Sequence, residues 1–422
     1  MAYQTIYPYT NEVLHTFDNM TDQDLADVLE RAHLLYKKWR KEDHLEERKA
    51  QLHQVANILR RDRDKYAEIM TKDMGKLFTE AQGEVDLCAD IADYYADKAD
   101  EFLMSTPLET DSGQAYYLKQ STGVILAVEP WNFPYYQIMR VFAPNFIVGN
   151  PMVLKHASIC PRSAQSFEEL VLEAGAEAGS ITNLFISYDQ VSQVIADKRV
   201  VGVCLTGSER GGASIAEEAG KNLKKTTLEL GGDDAFIILD DADWDQLEKV
   251  LYFSRLYNAG QVCTSSKRFI VLDKDYDRFK ELLTKVFKTA KWGDPMDPET
   301  TLAPLSSAQA KADVLDQIKL ALDHGAELVY GGEAIEVAND SNYGLGGTIF
   351  SSNQEHAKAV AAKIETGMSF INSGWTSLPE LPFGGVKHSG YGRELSELGF
   401  TSFVNEHLIY IPNKTNNSNT KV

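Results

Sequence analysis

Val200-Val201-Gly202-Val203-Cys204-Leu205-Thr206-Gly207-Ser208-Glu209-Arg210-Gly211-Gly212-Ala213-Ser214-Ile215-Ala216 is the stretch whose reading decides the fold. An apolar run leads into a glycine-rich turn and then into a helical segment, the strand, turn and helix order of an α/β unit. Glycines let a backbone approach a phosphate closely, and the first N–H groups of a helix point at it. A dinucleotide pyrophosphate fits such a turn at Gly207, Ser208 and Gly211. Taken alone the signal is weak, because turns of this kind more often serve chain reversal only.

Working outward, apolar runs recur at Val124 to Val128, Met152 to Leu154 and Ile181 to Ile186, separated by helical stretches such as Ser163 to Ala174. That alternation predicts a parallel sheet. It resumes after Glu229 in Ala235 to Leu239, Phe269 to Leu272, Thr348 to Phe350 and Ser369 to Asn372, so a second α/β lobe is expected. Ahead of the sheet, Leu25, Val28, Leu29, Ala32, Leu35 and Tyr36 recur at helical steps behind a Thr21 cap, which predicts a helical front end from Thr21 to Met104. The polar stretch Asn413 to Val422 reads as a frayed tail.

The 422 residues suffice for two lobes with a large core, and 43% hydrophobic with 25% charged residues is ordinary for a globular chain. A formal charge of -20 and a pI near 4.9 oppose binding to nucleic acid or anionic lipid. No apolar run reaches the length of a membrane span and the first residues lack a secretory pattern, so a cytoplasmic protein is expected. Cys88, Cys160, Cys204 and Cys263 are scattered without metal-ligand spacing; free thiols and no metal follow.

Three residues stand out chemically. Cys263 lies in the small, polar setting Asn258-Ala259-Gly260-Gln261-Val262-Cys263-Thr264-Ser265-Ser266, where a thiol could be activated as a nucleophile or remain buried and inert. Glu229, in Thr226-Thr227-Leu228-Glu229-Leu230-Gly231-Gly232, is either a strand-end carboxylate in solvent or a buried general base whose pKa is raised. Asn132, in Glu129-Pro130-Trp131-Asn132-Phe133-Pro134, either closes a turn or donates to a developing oxyanion.

Together and in this order these segments, with Pro382-Phe383-Gly384-Gly385 and Ser389-Gly390-Tyr391-Gly392-Arg393-Glu394, resemble the aldehyde dehydrogenase superfamily, closest to its NAD(P)-dependent succinate-semialdehyde dehydrogenase branch. The resemblance implies an α/β fold with a Rossmann-like cofactor domain over 1–229, a catalytic α/β domain over 230–395, and a C-terminal strand and tail over 396–422. Strands near 105–122 and this C-terminal strand would serve oligomerisation as a homodimer or homotetramer. It implies that Cys263 attacks an aldehyde, that the Asn132 side chain and the Cys263 N–H hold the oxyanion, and that Glu229 deprotonates the water that releases the acid. Trp131 and Ser208 would line the pyrophosphate region, Lys155 the adenosine ribose, and Phe383 the nicotinamide ribose. Many NAD-selective relatives carry Glu where this chain has Ser158, so NADP is expected to be accepted alongside NAD, or preferred.

Arg140 matches a position lined up with the distal carboxylate of succinic semialdehyde, for which a bidentate pair is expected. A second arginine found in some semialdehyde enzymes is Tyr257 here. One departure is large: relatives continue for a few dozen residues after Gly331-Gly332-Glu333, through a Glu-Ile/Val-Phe-Gly-Pro motif whose Glu binds the nicotinamide ribose. This chain passes directly to Ala334-Ile335-Glu336. The alternative reading is therefore a catalytically impaired relative that binds dinucleotide or acts as an oligomeric scaffold.

Overall fold

Thr21 opens the helical front end as its sequence predicts: its hydroxyl accepts the Asp24 N–H at 3.2 Å while the Asp24 carboxylate accepts the Thr21 N–H at 3.1 Å. This reciprocal cap satisfies donors that a helix start leaves without partners. The computed structural model describes residues 3–325 and 341–413; the expected junction at 333–334 and the tail beyond 413 lie outside the described residues. Four helices follow the cap, Asp22–Trp39, Leu45–Arg61, Arg63–Met74 and Phe78–Leu103. On the first, Leu25, Val28, Leu29, Ala32 and Leu35 are buried, and Trp39 rather than the half-buried Tyr36 ends the stripe. Each buried Leu or Val contributes about 1.5–3 kcal/mol.

The apolar runs from Val124 onward form one six-stranded sheet. Its strands Val124–Glu129, Met152–His156, Ile181–Asn183, Val200–Thr206 and Lys225–Glu229 are mutually parallel. Numbered by appearance, they lie in the order 3-2-1-4-5, with Gly390–Tyr391 added antiparallel beyond the fifth. That order reverses between Val124–Glu129 and Val200–Thr206, and ligands of open α/β sheets bind beyond the carboxyl ends of the strands at such a point. The third strand is shorter than its apolar run and lies at the sheet edge, where the Asn183 N–H is taken by the Glu168 carboxylate at 2.8 Å.

A second, parallel sheet joins Arg268–Val271, Ala235–Ile238, Gly347–Phe350 and Phe370–Ile371 in that order, as the later apolar runs predict. A third sheet pairs Thr106–Leu108 and Val404–Pro412 with Gly113–Ser121, the long pairing running from Gly113 opposite Pro412 to Ser121 opposite Val404. Leu108, Leu408, Tyr410 and Ile411 are exposed there. The sequence reading placed no strand ahead of the helical front end, yet Tyr3–Tyr7 and Glu12–Phe17 form an antiparallel hairpin. It is pinned by the Tyr3 hydroxyl donating to Ile186 O at 2.8 Å and by a Thr5 to Asp73 hydrogen bond. No described helix is long and apolar enough to cross a membrane.

Candidate active site

The expected cofactor residues gather along one edge of the six-stranded sheet because they follow the carboxyl ends of adjacent parallel strands. Trp131 lies just past Val124–Glu129, Lys155 and Ser158 at the end of Met152–His156, and Gly207 and Ser208 just past Val200–Thr206. Register fixes the alignment: Val128 sits opposite both Lys155 and Leu205, and Thr206 opposite Glu229. The glycine turn thus follows the fourth strand, and Trp131-Asn132 follows the first.

The turn's residues have distinct tasks. A Cβ at Gly207 would meet nothing closer than Leu205 at 3.6 Å, which leaves its outer face open to a ligand. The Ser208 hydroxyl accepts the Gly211 N–H at 3.2 Å, so that amide serves the cap of helix Glu209–Lys221. The glycine that packing cannot do without is Gly212, where a Cβ would lie 2.6 Å from Leu230 Cδ2.

Lys155 fits an anionic group. It is 6% exposed, its ammonium donates to His156 O at 2.9 Å, and no described carboxylate pairs with it. Burial pulls its pKa down to about 8. Ser158, three residues on, adds a hydroxyl where an acidic side chain would repel a phosphate.

A cavity of about 190 Å³ opens beside this edge, lined among others by Phe133, Tyr136, Arg140, Cys263, Trp375 and Phe383. Its walls are aromatic: Phe133 stacks on Tyr257 with centroids 6.2 Å apart and meets the Trp375 ring edge-on at 6.2 Å. Cys263 reaches the cavity from the loop after helix Trp244–Leu256 and the short turn Tyr257–Gly260. There Asn258 and Gly260 adopt left-handed backbone, which Asn and Gly accept at little cost. Asn132 faces that loop, its Nδ2 donating to Gln261 O at 3.0 Å. Because Gln261 O can only accept, this contact also fixes which end of the Asn132 amide is the NH2.

Burial pushes the Cys263 thiol up to about 11, with Arg140 and Lys267 pulling the other way. Burial, then Glu394, holds the Glu229 carboxyl well above the usual carboxylate range, against Arg140. Glu129 is raised in the same way. One guanidinium thus sits among three buried carboxyls.

The structure corrects one expectation. The Arg140 fork is not free for a bidentate substrate contact: Nε faces Glu394 in a buried ion pair, and Nη2 donates to Thr206 Oγ1 at 2.9 Å. Nη1 alone turns to another cavity residue, with a 3.5 Å contact to the Tyr136 hydroxyl. The motif Gly392-Arg393-Glu394 was singled out in sequence without a task. Its Glu394 neutralises Arg140 while backbone bonds in both directions, each 2.8 Å, tie Glu394 to Phe383. Sequence reasoning also passed over Tyr136, whose hydroxyl is 2.6 Å from that of Ser377, and Trp375, whose Nε1 is buried with no hydrogen-bond partner among the described residues.

Residues 1–333 and 332–409 match the model of the aldehyde dehydrogenase family in two pieces that meet where the sequence departs from its relatives. A succinate-semialdehyde dehydrogenase [NADP(+)] of Deinococcus radiodurans is 41% identical over 450 aligned positions, covering 96% of this chain and 94% of that protein. Since 450 exceeds the 422 residues of this chain, that relative has residues with no counterpart here. A succinate semialdehyde dehydrogenase [NAD(P)+] of Escherichia coli is 34% identical, covering 96% of this chain and 97% of that protein. The crystal structure of succinic semialdehyde dehydrogenase from Streptococcus pyogenes, in complex with NADP+, superimposes with a TM-score of 0.96 at 90% identity, covering 98% of this chain and 100% of that one. The chain belongs to the aldehyde dehydrogenase family.

Proposed function

We propose that this protein oxidises succinic semialdehyde to succinate with NADP+, through a covalent intermediate on Cys263. The observation that carries the reading is the Cys263 thiol on the wall of an aromatic cavity, with the Asn132 amide bonded to the loop that carries it and the buried Glu229 carboxyl among the charges that act on it, beside the carboxyl edge of a 3-2-1-4-5 sheet. The names of the three relatives point the same way.

Cys263 adds as thiolate to the aldehyde carbon. The oxyanion accepts hydrogen bonds from Asn132 Nδ2, which has a second N–H beyond the one on Gln261 O, and from the Cys263 N–H. A bound nicotinamide would supply the hydride acceptor that turns the thiohemiacetal into a thioester. Glu229 then takes a proton from the hydrolytic water, and burial, which raises its pKa, strengthens it as a base. Arg140 Nη1, the Tyr136 and Ser377 hydroxyls and Trp375 Nε1 receive the distal carboxylate. Trp131, Gly207 and Ser208 hold the pyrophosphate, Phe383 flanks the nicotinamide ribose, and Lys155 with Ser158 accommodates the 2′-phosphate.

The edge strand Val404–Pro412 exposes Leu408, Tyr410 and Ile411 beside unpaired backbone groups, which a second copy can cover in a homodimer or homotetramer. Four free thiols, three of them buried, suit the reducing cytoplasm. The test follows NADPH absorbance with succinic semialdehyde: Cys263→Ala abolishes the signal in folded protein, and undiminished oxidation by that variant refutes the reading.

A further inference from the structure

The helix Phe78–Leu103 carries two carboxylates one turn apart that the chemistry above does not use, Glu80 and Glu84. Each reaches a different side of the oxyanion site. Both Glu80 oxygens accept the Asn258 N–H, at 3.1 and 3.2 Å. Asn258, fully buried, donates from its own Nδ2 to Asn132 O at 2.9 Å and lies 3.5 Å from Gln261 O. Gln261 O is the same atom that anchors Asn132 Nδ2.

One turn along, Glu84 Oε1 accepts the Tyr135 and Tyr136 N–H groups at 2.9 and 3.0 Å, capping the helix Pro134–Val148 that begins just after Asn132. Its other oxygen pairs with Lys76, both side chains being wholly buried, and the Lys76 ammonium lies 3.8 Å from the centroid of the Phe133 ring, beside Asn132. One rigid helix therefore grips the segment carrying the oxyanion donor with one carboxylate and the loop carrying the nucleophile with the other.

We infer that Glu80 and Glu84, acting through Asn258 and the Pro134–Val148 helix, are positioning residues that set the separation between the Asn132 amide and Cys263. Glu80 is not among the residues that line the cavity, and the Glu84 oxygens are occupied by Lys76 and by the Tyr135 and Tyr136 N–H groups. The Glu80 to Asn258 contact orients the turn that precedes Cys263. The Glu84 cap fixes where the helix after Asn132 starts, and Asn258 joins the two. Burial raises the Glu80 carboxyl to about 7, and in either protonation state it keeps acceptor oxygens for the Asn258 N–H, while the Glu84 bonds to Tyr135 and Tyr136 are buried and hold the helix start with little play.

The inference rests on the acyl-transfer reading of this site, and the test separates the two. Aldehyde oxidation and release of p-nitrophenol from p-nitrophenyl acetate both need the oxyanion donors. Alkylation of Cys263 by iodoacetamide is a displacement at saturated carbon and needs only the sulfur. Glu80→Ala is expected to lower kcat for both acyl reactions about 100-fold, the effect attached to a misplacement of roughly 1 Å. The alkylation rate and the KM for NADP+ should stay unchanged, and Glu80→Gln, which keeps an acceptor for Asn258, should restore most of the activity.

In an Asn132→Ala background Glu80→Ala should cause little further loss, because the amide it positions is gone. Should Glu80→Ala fail to fold, Glu80→Asp must show the same selective loss. Equal losses in alkylation and acyl transfer, no loss, or full additivity with Asn132→Ala would each overturn the brace. Wild-type protein inactive on both aldehyde and ester would instead overturn the catalytic reading itself.

Discussion

Replacing Arg140 with Met tests how the substrate's distal carboxylate is held. The guanidinium has two attachments inside the protein, Glu394 and Thr206 Oγ1, and offers the cavity a single nitrogen near Tyr136. A hydrogen bond to a charged group contributes about 1.5–3 kcal/mol. At 1.36 kcal/mol per tenfold, its loss lowers kcat/KM for succinic semialdehyde about 10-fold to 150-fold more than for butanal, which has no carboxylate. The ratio between the two aldehydes is the quantity to measure, by NADPH absorbance at saturating cofactor. Removing Arg140 also raises the Cys263 pKa and strands Glu394, but those effects fall on both substrates and cancel in the ratio. Removing one partner of a buried ion pair typically costs about 3–5 kcal/mol of stability, so Arg140→Met/Glu394→Leu, which removes both, serves as the better-folded control. A ratio within threefold of the wild-type value in both variants would refute the assignment of Arg140 to the carboxylate.

Two more outcomes follow from the geometry. Lys155 has its pKa depressed to about 8, so its ammonium is present below that pH and lost above it. The KM for NADP+ should therefore rise between pH 7 and pH 9 while that for NAD+ changes less, and Lys155→Met should show no such difference. Gly384 has φ +152°, and a Cβ there would lie 2.5 Å from Glu229 Oε1. Gly384→Ala should displace the base and slow deacylation at least about tenfold, within the range that positioned acid–base groups contribute. Rapid-mixing traces should then show one equivalent of NADPH per site followed by slow turnover, and a trace without that burst would contradict the assigned position of Glu229.

What the sequence made legible was chemistry held locally. Strands buried on both faces read as continuous apolar runs, so the parallel sheets were visible, whereas Glu12–Phe17 has no buried residue and gives no alternation to detect. The Thr21 cap was legible because its partner is three residues away. The Arg140 ion pair was not legible because its partner, Glu394, is 254 positions distant, and spacing alone cannot reveal which carboxylate claims a guanidinium. Glu80 and Glu84 look like the solvated face of an acidic helix. Only packing against Pro134–Val148 and the Tyr257–Gly260 turn shows that they point inward.

The parts of the candidate site are tied to one another by bonds among the described residues. Lys267 donates to the carbonyls of Val262, Cys263 and Ser265 at 3.3, 2.8 and 3.1 Å, Phe383 is bridged to Glu394, and Asn132 is fixed on Gln261. All of these partners belong to the described residues on either side of the break in the family match at 332–333. Helix Ala308–Asp323 buries none of its residues and exposes Val314, Leu315, Leu320 and Leu322. An isolated helix of this length is marginal in water, since nucleation is costly and tertiary packing normally supplies most of the stability. The cavity around Cys263, by contrast, keeps the bonds that shape it.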